Sequence, residues 1–254
     1  MLVSVVIPTY NRLPILKKCL EALENQIFVD AINDYEIVIV DDDSTDGTTL
    51  WLETNIEAFP HLRIFKQSHG GPAQGRNLGV AKSNGELIVF IDSDLVVDKY
   101  FLVSHVRSLT KVWRENGNRK CFTYGSVINT SDFNNPKSEP FKLQDLSWAY
   151  FATGNVAIDK KVLEESGLFD TSFRLYGWED LELGERLRYM GVKLIKCPQA
   201  IGYHWHPALA LEQIPDLIRI EKERAKMGLV FYRKHPTLRV KFIIQYTFIH
   251  LFLW

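Results

Sequence analysis

Cysteine is scarce in this chain of 254 residues: Cys19, Cys121 and Cys197 lie far apart and are odd in number. They show neither a disulfide framework nor the spacing of a metal site, and such usage is typical of a reducing compartment. An excess of one charge is also lacking, since 30 Lys and Arg stand against 31 Asp and Glu. The formal net charge of −1 therefore gives no indication of a nucleic-acid partner.

Several common signals are missing as well. Gly70 and Gly75 have the spacing of a phosphate loop, but Arg76-Asn77 stands where that loop requires Lys followed by Ser or Thr. No Gly-x-Gly-x-x-Gly follows the first apolar segment, which disfavours a Rossmann dehydrogenase. The first residues carry no basic segment and reach a proline too early for a secretory signal peptide. We therefore expect a cytoplasmic protein.

The most informative stretch is residues 87–94, in which Leu-Ile-Val-Phe-Ile runs directly into Asp92-Ser93-Asp94. The apolar run predicts a strand that is buried on both faces, with the carboxylates where the strand emerges. Since residues i and i+2 of an extended segment point the same way, both carboxylates can reach one cation or one polar ligand. A divalent cation shared with substrate phosphate would offset their repulsion. A solvated turn in which both side chains cap backbone amides explains them equally well.

Short apolar segments alternate with amphipathic segments along most of the chain. This alternation predicts a doubly wound α/β fold, with a mostly parallel central sheet flanked by helices and a ligand site at the carboxyl ends of the strands. The predicted strands lie at 3–7, 36–40, 62–66, 87–91, 122–128, 153–158 and 200–206. Helices are predicted over 14–23, up to residue 81, over 95–116 and over 179–190. The polar segment 129–147 is predicted to be a long loop with a function of its own.

Two further polar pairs stand at the ends of predicted elements. Glu179-Asp180 falls in the first turn of a helix, after Gly177, which permits a tight turn. Because carboxylates suit the positive end of a helix dipole, capping alone accounts for this pair when it is considered by itself. His204 and His206 alternate along a predicted strand and share one face, which raises the expectation of a metal ligand only modestly.

The C-terminal part is basic and then apolar. Eight Lys and Arg between positions 219 and 241 stand against two Glu, and residues 242–254 are apolar almost throughout. That apolar segment is too short for a membrane-spanning helix, which needs about 20 residues. We expect a main domain over 1–210 and a helical extension over 211–254. The extension either contacts an anionic membrane surface or packs on the domain or on a second subunit, and both interpretations stay open.

Four motifs occur in a characteristic order along the chain: Val-Ser-Val-Val-Ile-Pro-Thr-Tyr-Asn-Arg at 3–12, Val-Asp-Asp-Asp-Ser-Thr-Asp-Gly-Thr at 40–48, Gly-Arg-Asn-Leu-Gly at 75–79 and Asp92-Ser93-Asp94. With these motifs, the chain from Val3 to about His206 resembles the family 2 glycosyltransferases of the GT-A type. The segment from Thr153 to Leu183 is similar to the C-terminal part of animal galactosyltransferases. Two positions depart from the family pattern: Asp43 replaces the usual Gly, and Tyr176-Gly177-Trp178 replaces a Trp-Gly-Gly segment.

The resemblance implies a nucleotide-sugar donor, with a UDP-sugar expected, at the carboxyl edge of the sheet. It also implies Mn²⁺ or Mg²⁺ on the donor diphosphate, held by Asp94 with Asp92 and with His204 or His206. The residues implied in donor binding are Pro8, Thr9, Tyr10, Arg12, Asp42, Arg76, Asp92 and Ser93.

The same resemblance implies a reaction that inverts the sugar's anomeric centre. The expected acceptor is a glycan or a lipid, and the lipid is expected only because the C-terminal part could contact a membrane surface. Asp180 would be the general base and Glu179 would orient a substrate beside it. Contacts to the acceptor or sugar are expected from Gly154, Asn155 and Trp178, and Trp148, Tyr150 and Phe151 flank the same region. A membrane surface and a homodimer are further expected partners.

Two alternatives of other classes are weighed against this interpretation. A nucleotidyltransferase would bind a nucleoside triphosphate, and the segment Gly70-Gly71-Pro72 lacks the basic residues that grip one. A non-catalytic sugar-binding or membrane scaffold protein would have no need for Asp92, Asp94, Asp180 and two histidines together.

Overall fold

The computed structural model describes residues 1–28, 34–138, 150–175, 177–208 and 210–247. Within these residues, eight strands form one sheet at the centre of the molecule. In chain order the strands are β1 (Leu2–Thr9), β2 (Asp34–Asp41), β3 (Leu62–Lys66), β4 (Leu87–Ile91), β5 (Leu95–Val97), β6 (Cys121–Thr130), β7 (Asn155–Asp159) and β8 (Lys193–Trp205).

Across the sheet the strands follow the order β3-β2-β1-β4-β7-β6-β8-β5. The pairs β3–β2, β2–β1, β1–β4 and β6–β8 are parallel, whereas β7 is antiparallel to both of its neighbours and β5 is antiparallel to β8. The predicted α/β fold with a mostly parallel sheet is therefore confirmed. The antiparallel β7 brings its first residue to the edge where β1, β2 and β4 end.

Helices cover both faces of the sheet, and β4 is therefore buried on both sides. Its Leu87, Val89 and Ile91 face a core with α1 and α4, while Ile88 and Phe90 face a second core with α3, α5 and α6. The helices are α1 (Leu13–Glu24), α2 (Thr48–Thr54), α3 (Pro72–Lys82), α4 (Phe101–Asn116), α5 (Lys160–Glu165), α6 (Glu179–Tyr189), α7 (Ile214–Lys234) and α8 (Leu238–Ile243).

Two predicted helices differ from the structure. The helix predicted over 95–116 begins only at Phe101, because the apolar residues Leu95–Val97 extend instead as an edge strand paired with β8. The apolar helix predicted from Phe242 ends at Ile243, and Gln245 then adopts a left-handed conformation with φ of 58°. Residues 248–254 lie outside the described residues, as do 139–149 of the predicted long loop.

The C-terminal helices pack on α6 instead of projecting freely from it. Phe231 and Val240 are fully buried in a third apolar cluster that includes Phe173 and Trp178. Two basic residues counted as candidates for lipid contact are used inside the molecule: Arg239 pairs with the buried Glu185 at 2.7 Å, and Lys234 pairs with Asp170 at 2.6 Å. Among the described residues, no helix has the length and apolar character needed to cross a membrane.

A buried polar network fixes β7 against β6. The Asn155 amide group donates to the carbonyls of Ser126 and Ala200 at 3.0 and 2.9 Å, beside a register shift in β6. The Asn155 oxygen therefore faces His105, whose Nε2 lies 2.9 Å away, while Thr123 Oγ1 lies 2.8 Å from His105 Nδ1. Burial lowers the pKa of His105 to about 4, although the bond to Asn155 opposes the shift.

This network predicts an acid-sensitive fold. The unfolded chain binds a proton at His105 below about pH 6.5, whereas the folded chain resists it down to about pH 4. The free energy of unfolding should therefore fall by about 3 kcal/mol as the pH drops through that window. In urea titrations between pH 7 and pH 4, His105→Gln should lose this part of the pH dependence. Parallel curves for both proteins would contradict the prediction.

Candidate functional site

Strand ends meet at one edge of the sheet. Four of these ends are those of β1, β2, β4 and β8, and β5 and β7 begin there, because Ile91 pairs with Asn155 and Leu95 pairs with His204. The ends of β3 and β6 lie at the same edge, beside β2 and β8. Such convergence places the polar residues that follow the strands in one crevice. Asp92, Asp94 and His204 are consequently neighbours although the chain separates them widely.

Asp92, Asp94 and His204 form a cluster in which one ligand atom of each lies within 4.8 Å of the others. His204 Nε2 lies 2.9 Å from Asp94 Oδ1, and Arg12 Nε lies 3.9 Å from Asp94 Oδ2. This donor set of two carboxylates and one imidazole fits a divalent cation. Carboxylate oxygens suit both Mg²⁺ and Mn²⁺.

The electrostatics of Asp94 and His204 are coupled. Burial disfavours the charged forms, but the hydrogen bond and opposite charge between Asp94 and His204 outweigh it. They hold the pKa of Asp94 below its usual value, with help from Arg12, and raise the pKa of His204 above its own. His206 Nε2 lies 3.0 Å from His204 Nδ1, so the ring of His206 is placed to orient the ring of His204 from behind.

Asp42 organises the opposite side of the crevice. Its carboxylate accepts hydrogen bonds from the amides of Gly70 and Gly71 at 2.8 and 2.9 Å and from Gln67 at 2.7 Å. His69 Nδ1 also lies 3.0 Å from it. In this structure Asp42 therefore holds the loop before α3, and its predicted contact with a nucleotide base stays a prediction.

The other residues predicted to bind the donor line the same edge. Thr9 is buried, and its Oγ1 has no hydrogen-bond partner among the described residues. Tyr10 is exposed, with its ring 4.5 Å from that of His69, and Pro8 lies against Gly75 of α3. Ser93 is buried, and its carbonyl accepts a bond from Cys19.

Arg76 connects the two acidic groups of the site. Its side chain is almost completely buried, and it donates to Asp92 at 3.0 Å and to Glu179 at 2.9 Å. The charges of Asp92 and Glu179 outweigh the effect of burial and raise the pKa of Arg76 further. A permanent cation therefore lies between the strand end at Asp92 and the first turn of α6.

Asp180 is the carboxylate with the most altered protonation in this region. Burial, followed by the charge of the adjacent Glu179, raises the pKa of Asp180 to about 7, and Arg76 opposes the shift. Its Oδ2 faces the amide of Thr153 at 3.4 Å. A Cβ added to Gly154 would lie 3.3 Å from Asp92 Oδ2, so residues 153–154 lie between the two acidic groups.

Two residues predicted to touch a sugar do not face the crevice. Asn155 has no exposed surface, and its amide group is used entirely by the network with His105. The Trp178 ring is buried against α7 and donates to the carbonyl of Arg224 at 2.6 Å. We correct both predictions, because neither side chain is accessible to a sugar in this structure.

The aromatic residues predicted to flank the sugar site lie mainly in the core. Phe151 is fully buried in the core, and Tyr150 packs on Phe122 and donates to the carbonyl of Val192. Trp148 and Tyr176 lie outside the described residues. Of these residues, Phe151 therefore has no surface to offer a substrate.

Sequence patterns missed three polar residues at this edge. Gln67 and His69 contact Asp42, and the backbone of Thr153 faces Asp180. Gln67 and His69 follow a short strand in a segment without a recognisable motif. Their position directly before Gly70-Gly71-Pro72 is the single sequence signal that could have indicated them.

The backbone conformation of Asp43 explains why this residue can replace the glycine expected from the family resemblance. Its φ of 68° lies in the left-handed region, which glycine adopts without penalty and which Asp and Asn tolerate better than other residues. The substitution therefore keeps the turn after β2.

Comparison with known proteins agrees with this geometry. The sequence model of the glycosyl transferase family 2 matches residues 4–167. The chain is 24% identical over 258 residues to the uncharacterized glycosyltransferase YfnE of Bacillus subtilis, covering 81% of this chain. It is 26% identical over 272 residues to validoxylamine A glucosyltransferase of Streptomyces hygroscopicus, covering 93% of this chain. It spans 65% and 62% of the lengths of these two relatives.

The fold also matches a solved structure. The mannosyltransferase PcManGT from Pyrobaculum calidifontis, in complex with GDP-Man and Mn²⁺, superposes with a TM-score of 0.67 at 21% sequence identity. The match covers 96% of this chain and 68% of that protein. The predicted GT-A fold is confirmed by this likeness.

Removing the cation between the acidic groups should destabilise the fold. Arg76→Met would leave Glu179 buried without its partner, and we expect a loss of about 3 kcal/mol in the free energy of unfolding. The matched control is Arg219→Met, because Arg219 is exposed on α7 and its solvent-screened ion pairs should contribute little to stability. Urea denaturation at pH 7 measures both. An equal, small effect of the two substitutions would contradict the assignment.

Proposed function

Because the chain belongs to the family 2 glycosyltransferases, we propose that it transfers a sugar from a nucleotide-sugar donor to the hydroxyl group of an acceptor. The observation that carries this proposal is the position of Arg76 between two acidic groups. Its guanidinium contacts Asp92 on one side and Glu179, the neighbour of Asp180, on the other. One crevice thus offers a cation-binding cluster and a carboxylate of raised pKa.

We propose that Asp94, Asp92 and His204 hold Mn²⁺ or Mg²⁺ on the donor diphosphate. The close approach of their ligand atoms supports this assignment. The bound cation would stabilise the negative charge that develops on the leaving diphosphate. His206 would keep the His204 ring oriented. Arg12, half-exposed beside Asp94, would add positive charge for the phosphates.

Asp180 is proposed as the general base that takes the proton of the acceptor hydroxyl. A pKa of about 7 leaves a large fraction of this carboxylate ready to accept a proton at neutral pH. The activated oxygen would attack in line, on the face opposite the leaving diphosphate, so the anomeric centre inverts. Glu179 is proposed to set the charge around Asp180 through its contact with Arg76.

The nucleotide is proposed to lie along the ends of β1 and β2. The buried Thr9 Oγ1 and Gln67 Oε1 have no hydrogen-bond partner among the residues that the structure describes. They support a ligand there, since buried polar atoms are normally hydrogen-bonded. Tyr10 and Asp42 line the same place. The family resemblance favours a UDP-sugar, whereas the similar structure of PcManGT carries GDP-Man and Mn²⁺, so both nucleotides belong in the first donor screen.

A growing glycan or a lipid is proposed as the acceptor. Contact with an anionic membrane surface and formation of a homodimer stay predictions. The division into a 1–210 catalytic domain and a 211–254 extension is also proposed, with the addition that the extension shares an apolar cluster with Phe173 and Trp178.

The first experiment screens nucleotide-sugar donors with the wild-type protein and with the Asp180→Asn variant. Wild-type protein is given UDP-glucose, UDP-galactose, UDP-N-acetylglucosamine and GDP-mannose with Mn²⁺, and mass spectrometry follows transfer to glycan and lipid acceptors and slow hydrolysis of the donor. Asp180→Asn should retain donor binding and lower turnover about 100-fold or more, because the amide cannot take a proton. Asp216→Asn, an exposed carboxylate on α7, is the matched control.

Two outcomes count against the proposal. Near wild-type turnover of Asp180→Asn would remove this residue from the role of base. Consumption of a nucleoside triphosphate, with every nucleotide-sugar untouched, would favour the nucleotidyltransferase alternative.

The pH dependence offers a separate prediction. Since a base must be deprotonated to act, kcat/KM should rise with pH and level off above about pH 7. Glu179→Gln removes a negative charge beside Asp180 and leaves Arg76 one partner fewer, and both changes lower the pKa of Asp180. The rising limb should therefore move to lower pH. A limb that stays in place, or moves to higher pH, would show that another group controls it.

A further inference from the structure

Trp178 has an unusual backbone conformation directly before the proposed base. Its φ is 77°, in the left-handed region, where a bulky residue is a genuine outlier. A glycine would adopt such a φ without strain. Strained residues persist where the surrounding structure holds them in place, and they often occur at functional sites.

Contacts with α7 hold the Trp178 side chain in place. The indole N–H donates to the carbonyl of Arg224 at 2.6 Å, and the Arg224 guanidinium lies over the ring at 4.8 Å. On its other side the ring packs near Phe231, with the centroids 6.3 Å apart, and Met227 joins the same cluster. The indole is nine-tenths or more buried by these residues.

Two glycines fit the chain to this contact. Gly228 lies within α7, where glycine is normally unfavourable, and a Cβ there would be in van der Waals contact with Trp178 Nε1, at 3.4 Å. Gly177 has a φ of 94°, and a Cβ there would lie 3.4 Å from Arg224 Cγ. The indole and the helix therefore approach each other closely over the two residues that precede Glu179.

Polar side chains of the C-terminal extension also contact the remainder of α6. His235 Nε2 lies 2.9 Å from Glu182 Oε1, and Arg239 Nε lies 2.7 Å from Glu185 Oε1. Both glutamates are buried. Three successive turns of α6 thus contact α7, α8 or the turn between them, beginning with the residue next to the carboxylate pair.

We propose that Trp178 is a positioning residue: packed on α7, it fixes the first turn of α6 so that Glu179 meets Arg76 and Asp180 faces the crevice. This inference rests on the proposed glycosyltransferase function and assigns the C-terminal helices a part in it. Without α7, the strained backbone at Trp178 relaxes and turns the start of α6. A displacement of about 1 Å of a reacting group is enough to lower a rate about 100-fold.

The test compares Trp178→Gly and Trp178→Phe with wild type. Glycine relieves the backbone strain and removes the contact with α7, whereas phenylalanine keeps most of the packing and loses the N–H bond. We expect kcat to fall about 10- to 100-fold for glycine and less for phenylalanine, with the donor KM changed no more than about 3-fold. Amide hydrogen exchange of residues 177–185 should become faster in the same order.

Leu109→Ala is the matched control, since Leu109 is fully buried on α4, on the opposite face of the sheet. It should lower the melting temperature without changing kcat per folded molecule or exchange in 177–185. If Trp178→Gly fails to fold, the phenylalanine variant carries the comparison.

The outcomes separate this inference from the proposed function. If the wild-type protein uses no nucleotide-sugar, the proposed function is wrong. The positioning role of Trp178 is then tested by amide exchange alone: faster exchange of residues 177–185 in the variants supports it, and unchanged exchange contradicts it. If the wild type is active and Trp178→Gly keeps the wild-type kcat and exchange rates, the positioning role is overturned. If Trp178→Gly does not fold, the same result with Trp178→Phe overturns it. A fall in kcat that tracks the melting temperature, with Leu109→Ala behaving alike, also overturns it.

Discussion

The site depends on one buried cation. Arg76 lies with its guanidinium between Asp92 and Glu179, and neither carboxylate could remain close to its acidic neighbours without it. Asp92 stands beside Asp94, and Glu179 stands beside Asp180, so the cation separates two pairs of like charges. Its charge also limits the rise in the pKa of Asp180 and so keeps this carboxylate in the range useful near neutral pH.

The sheet and its glycines bring this cation into position. Gly79 of α3 faces Val6, and a Cβ there would lie 2.3 Å from a valine methyl carbon, so only glycine lets α3 lie this close to β1. Gly75, one turn earlier, lies against Pro8 in the same way. Arg76 follows directly, at the carboxyl end of β1 and β4. Close packing of a helix on the sheet therefore determines where the guanidinium lies.

Local sequence patterns predicted those strands and helix ends whose structure depends on neighbouring residues in the chain. The strand 87–91 and its two carboxylates follow from an apolar run that ends abruptly, and the first turn of α6 follows from its acidic residues. The side chains of Asn155 and Trp178 could not be placed in this way. Each is directed by a distant partner, His105 or Arg224, and nothing local distinguishes a polar or aromatic residue that faces a substrate from one that faces a neighbouring helix.

The buried glutamates of α6 have a consequence for how such enzymes diversify. Glu182 lies 2.9 Å from His235 and Glu185 pairs with Arg239, while Arg186 and Arg188 of α6 itself pair with the same two glutamates. A C-terminal part from a relative that lacks His235 and Arg239 would remove one polar partner from each buried glutamate and leave only the arginine of α6 in contact with it. We therefore expect α6 and the C-terminal helices to change together during evolution, and chimeras are best joined upstream of both.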